Sequence, residues 1–114
     1  MITLEDVHDL AMVLADEGNA ALLQGRTEKA RLSYSLALSL ELQALALASP
    51  SVQPTYAVLV RSAAALAILA GQPAQALDLA SRGLLEASTP APLRVELEEI
   101  AAQARSLVSA KEAC

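Results

Sequence analysis

The chain contains neither phenylalanine nor tryptophan, and Tyr34 and Tyr56 are its only aromatic residues. Its core must therefore be built from small and aliphatic side chains. Hydrophobic residues make up 54% of the sequence, mostly Ala and Leu with few β-branched residues. That mixture favours helices whose backbones approach closely. A length of 114 residues suits a single domain (1–114) with a real core and no need of a staple.

Cysteine is almost as scarce. Cys114, the last residue, stands alone, which excludes a disulfide within the chain and any thiolate metal cluster, and fits a reducing compartment. His8 is the only histidine. It forms a Glu-x-x-His pair with Glu5, the spacing that places both side chains on one helix face in di-iron bundles, but such a site needs a second copy and further carboxylates. His8 is expected to be exposed near the first helical turn. Ser33, Ser35, Ser39 and Ser62 lie in helical stretches without a nucleophile-type turn, and no base is placed to activate them. No catalytic residue, metal or cofactor is expected, and the chain reads as a non-enzyme.

Positive charge is also in deficit. Eight Lys and Arg stand against 13 Asp and Glu, a net charge of −5, which opposes binding to a phosphate backbone. The longest uncharged run, Leu42 to Val60, is broken by Pro50 and Pro54 and does not read as a membrane span. The opening "ITLEDVHDL" has no basic start and no continuous apolar run, unlike a secretory signal. A cytoplasmic protein without nucleic-acid or membrane partners is expected. Residues 42–77 carry Arg61 as their only charge, so this middle segment is the part expected to be covered by protein.

What is present is helical punctuation. Leu4, Val7, Ala11, Leu14, Gly18 and Ala21 recur in steps of three and four, one face of a helix. Thr3 is its expected N-cap, with Glu5 and Asp6 favourably placed in the first turn, and Gly25 its expected end. A second helix, capped at or near Thr27, runs to about Ala48, where Ser49 and Pro50 stop it. "SLALSLELQ" alternates like a strand, but its residue types are helix formers. A third helix covers about Thr55 to Ala70, before Gly71. Pro73 opens a fourth, ending near Ala87. After "STPAP" a fifth spans about 92–111, with Leu93, Leu97, Ile100, Ala104 and Leu107 inward and Arg94, Glu96, Glu98 and Arg105 facing water.

Placing Gly25 on Gly71 gives an offset of 46 that also sets Ala30 on Ala76, Ala37 on Gly83 and Leu38 on Leu84. Small residues thus recur where two helices must touch. With Gly18, Ala30, Tyr34 and Ala37 in the first copy and Ala64, Ala76, Ala80 and Gly83 in the second, the sequence resembles the tetratricopeptide (TPR) repeat. The resemblance implies an all-α fold of about five helices, antiparallel hairpins stacked as a short right-handed solenoid. Repeat one would be about 3–49, repeat two about 55–87, and the fifth helix a cap. It also implies that the first helix of each repeat lines a concave groove. The matching positions are Met12, Ala15, Asn19 and Leu22, then Val58, Arg61, Ala65 and Ile68. Gly18 and Asn19 resemble the start of TPR domains that clamp a terminal carboxylate, but Ala15 stands where that clamp has lysine, so the clamp is not expected. Arg61 either covers apolar surface with its stem or pairs with an acidic group.

The leading expectation is an adaptor or scaffold that binds a peptide or helix of another protein in this groove. A homo-oligomer, such as a homodimer, joined through the charge-poor middle is the alternative, since two repeats are fewer than solenoids usually need. The pattern from Asp16 through Leu38, with Gly18, Ala30, Tyr34 and Ala37, also resembles a three-helix microtubule-interacting and trafficking (MIT) module made by helices one to three. Helices four and five would then be an unrelated extension, which the 46-residue offset argues against.

Overall fold

The computed structural model describes residues 1–113, with side chains through residue 112; Cys114 and the expectations placed on it lie outside the described residues. Five helices follow one another: α1 (Leu4–Leu23), α2 (Thr27–Leu47), α3 (Thr55–Leu69), α4 (Pro73–Leu85) and α5 (Ala91–Ala113). No strand occurs among the described residues, and "SLALSLELQ" lies wholly within α2. Packing runs mainly between neighbours. Helix α1 rests on α2, α2 on α3, α3 on α4, and α5 covers α4 and part of α3.

Local chemistry fixes most boundaries. The Thr3 hydroxyl accepts from the Asp6 N–H at 3.2 Å while an Asp6 carboxylate oxygen accepts from the Thr3 N–H at 3.0 Å, a reciprocal cap that satisfies two otherwise unpaired donors. The α1–α2 and α3–α4 turns share their closing hydrogen bonds at the offset of 46. The Gly25 N–H donates to the Leu22 carbonyl and the Arg26 N–H to the Ala21 carbonyl; Gly71 and Gln72 donate in the same way to Ile68 and Ala67, all at 2.8–3.0 Å. Both turns need a left-handed residue after the helix. Gly25 and Gly71 supply it, with φ of 74° and 78°.

Two boundaries differ from the sequence reading. Thr27 is already inside α2; Arg26 precedes the helix and provides no side-chain cap. Helix α4 stops at Leu85, because Glu86 turns to extended backbone and the freed carbonyls find other donors. Thr89 Oγ1 donates to the Gly83 carbonyl at 2.7 Å, and the Arg94 guanidinium donates to the carbonyls of Leu84 at 3.1 Å and Glu86 at 2.8 Å. Arg94 therefore caps α4 rather than facing water.

The core is a layer of alanines interleaved with a few larger side chains. Ala11, Ala37, Ala57, Ala63, Ala64, Ala76, Ala80 and Ala104 are wholly buried, and Leu79, Leu97 and Val60 fill the gaps between them. Most positions paired by the offset share this environment: Ala30 and Ala76, Ala37 and Gly83, Tyr34 and Ala80 are all buried, whereas Leu38 is buried and Leu84 half-buried. Helix α5 enters with Leu97, Ala101 and Ala104. Leu107 at its far end is partly exposed, contrary to the inward stripe expected from its spacing, because α4 is too short to cover it. No helix among the described residues is long and apolar enough to cross a membrane.

Candidate functional site: a cationic depression between α3 and α5

The residues expected to line a groove fall into two sets. Val58, Arg61, Ala65 and Ile68 recur at three and four residues along one face of α3, all half-buried. On α1, Met12 is half-buried, whereas Asn19 and Leu22 are exposed. The two helices are not among the extensively packed pairs. Each lies instead against α2.

Two of the expected polar handles are engaged within the chain. Asn19 Oδ1 accepts from the Tyr34 hydroxyl at 2.6 Å, joining α1 to α2. Arg61 Nη1 donates to both carboxylate oxygens of Glu96, at 3.2 and 3.4 Å, joining α3 to α5. Glu96, like Arg94, is therefore half-buried and partnered, not a free surface charge; Glu98 and Arg105 are exposed as expected.

One turn beyond Ala65, the α3 face opens into a depression of about 470 Å³. Ile68, Pro73, Leu107 and Ala110 give it apolar walls, and Arg31 and Lys111 are its only charged lining residues. The Arg31 guanidinium lies over Gly71, where a Cβ would stand 3.6 Å from its Cζ. That is ordinary contact distance, so Gly71 is required here by its left-handed backbone and not by the approach of the guanidinium. Among the described residues, neither Arg31 nor Lys111 is held in an ion pair. Two smaller depressions each mix charges, Glu17 with Lys29 in one and Lys111 with Glu112 in the other.

Of the residues expected to line the groove, only Ile68 reaches this depression. Arg31, at the start of α2, and Lys111, near the end of α5, are brought together only by the packing of α2 and α5 on either side of α3. No local motif signals that meeting. In chemical terms the site pairs an apolar floor with two cations on flexible stems, which suits an apolar group carrying a carboxylate.

His8 also departs from its expected place. It is only partly exposed, and its Nδ1 lies 2.9 Å from both carboxylate oxygens of Glu41, which has no exposed surface. His8 is thus tied to α2 while Glu5 stays exposed, and among the described residues no three His, Cys, Asp or Glu side chains gather as a metal site. Comparison with protein families, with curated proteins and with solved structures gives no match to this chain.

Proposed function

We propose that the chain is a TPR-like, non-catalytic interaction module of a reducing compartment, and that it docks an apolar peptide segment bearing an acidic group. The observation that carries this reading is the depression at the end of α3, whose lining is apolar apart from Arg31 and Lys111. In a chain of net charge −5, a concave surface charged in the opposite sense favours a partner with negative charge and steers its approach.

The repeated α1–α2 and α3–α4 turns support the repeat reading, because the same hydrogen bonds recur at one fixed offset. In this reading Val58, Arg61, Ala65 and Ile68 form the wall along which the segment lies. Met12, Asn19 and Leu22 on α1 do not line this depression and are assigned no contact with the segment. An apolar side chain enters beside Ile68 and Leu107, and a carboxylate reaches Arg31 and Lys111.

Isotope-labelled protein titrated with short amphipathic peptides of equal apolar content, flanked by Glu, Ser or Lys, tests the proposal. The Glu-flanked peptide is expected to shift the amides of Ile68, Gly71, Leu107 and Ala110. Ile68→Asp should abolish binding, and Lys111→Glu should weaken it several-fold while leaving the fold unchanged. Equal binding of the Lys-flanked peptide, or shifts confined to other surfaces, would overturn it.

A further inference from the structure

Independently of the peptide site, we infer that the outer face of α2 is a self-interface that pairs two copies of the chain antiparallel about a two-fold axis level with Ser39 and Leu40. The face opposite the α2 core stripe exposes Leu32 at 61%, Leu36 at 48% and Leu47 at 61%, with Gln43 also exposed and Leu40 half-buried between them. Ser35, Ser39 and Ala46 flank this line and are small, so a second helix can approach closely.

Charge selects the occupant. From Leu32 to Ala48 the only charged residue is Glu41, and it is wholly buried against His8. The outer face of this stretch is therefore uncharged. Acids are exposed on the outer faces of α1 (Asp9, Asp16 and Glu17), α4 (Asp78) and α5 (Glu98 and Glu99), while α3 carries none and is mostly buried. Two chains of net charge −5 repel wherever those faces meet. On α2 they can meet with no like-charge contact.

The spacing is also self-complementary. Among the exposed positions Leu32 to Leu36 is four residues, Leu36 to Gln43 seven, and Gln43 to Leu47 four, so their spacing reads the same in either direction, and the half-buried Leu40 falls opposite Ser39. A two-fold partner sets Leu32 against Leu47 and Leu36 against Gln43, as an isologous contact requires. At 21 residues, α2 is about 31 Å long. A strip on the order of 10 Å wide then covers about 300 Å² per copy, well under the roughly 800 Å² per partner of a stable complex. The dimer is accordingly weak and concentration-dependent.

Sedimentation equilibrium in a Cys114→Ser background, from about 10 µM to about 1 mM to bracket weak association, tests this directly. The average mass is expected to rise from 11.8 kDa towards twice that value. Leu36→Glu, at a half-exposed position that keeps its helicity by circular dichroism, should hold it at the monomer mass throughout. In the same background Ser39→Cys should oxidise to a disulfide-linked dimer, whereas Gln43→Cys, whose two copies lie about 10 Å apart along the axis, should not. A monomer at the highest concentration, association indifferent to Leu36→Glu, or equal cross-linking at both cysteines would overturn the inference. None of these outcomes bears on peptide binding at α3 and α5.

Discussion

Glu41 and His8, 33 residues apart in sequence, meet across the α1–α2 hairpin with both carboxylate oxygens of Glu41 2.9 Å from His8 Nδ1. Glu41 has no exposed surface, while His8 keeps about a quarter of its side chain in contact with solvent. The pair is therefore asymmetric. Losing the histidine strands a carboxylate inside the protein, whereas losing the carboxylate leaves an imidazole that water can still reach. His8→Ala is expected to destabilise the fold by about 3 kcal/mol, the scale seen when one partner of a buried pair is removed. Glu41→Leu, which replaces the charge with a side chain of similar size, should cost less than His8→Ala. Urea unfolding of the two variants checks the order, and a His8→Ala variant as stable as the parent would show that Glu41 does not depend on this contact.

Gly18 sets how closely the same hairpin can pack. A Cβ at that position would lie 2.7 Å from Tyr34 Cε1 and 2.9 Å from Cδ1. The ring has little freedom to retreat, because Tyr34 is buried and its hydroxyl is bonded to Asn19. Gly18→Ala gains roughly 1 kcal/mol of helix propensity, but overpacking of this kind costs about 1–3 kcal/mol. The net effect expected is a loss of stability, relieved when Tyr34→Leu is added. Thermal unfolding of the single and double variants measures both steps. Stabilisation by Gly18→Ala alone would mean that α1 can move outward at no cost.

Much of this fold was legible because its punctuation is local. Gly25 and Gly71 mark left-handed residues, Thr3 sits three residues before an acid, and Pro73 opens a helix whose first turn has no use for its missing N–H. The features that escaped are those created by distant residues. Glu41, in "LELQ", has the sequence context of a surface charge and is buried only because His8 crosses from α1. Arg94 and Glu96 sit on the polar side of an amphipathic pattern, yet one caps α4 and the other holds Arg61. Arg31 and Lys111 share a depression because α2 and α5 flank α3, an arrangement that no periodicity within either helix encodes. Ile68, found through the repeat, is the one expected groove residue at that site; Gly71, Pro73 and Leu107 also line it but read from the sequence only as helix punctuation and core.

The reciprocal cap at the start of α1 gives the chain a pH-sensitive end whose sign can be worked out. The hydrogen bond from the Thr3 backbone N–H, reinforced by the Thr3 side chain, holds the Asp6 carboxyl below its ordinary value of 3.8. A carboxyl with a lower value in the folded chain binds fewer protons there than in the unfolded chain. Its contribution to stability is thus fully present above the ordinary aspartate value and is lost as pH falls through the folded-state value. Asp6→Asn keeps the size of the side chain but removes the charge that favours this position at a helix N-terminus. The stability difference between parent and Asp6→Asn is therefore expected to be constant from neutral pH down to about 5 and to shrink towards zero under more acidic conditions. Following the difference cancels the titration of the other carboxylates, which both proteins share. A gap that persists unchanged at the lowest pH would show that Asp6 acts through the shape of its hydrogen bond to Thr3 and not through its charge.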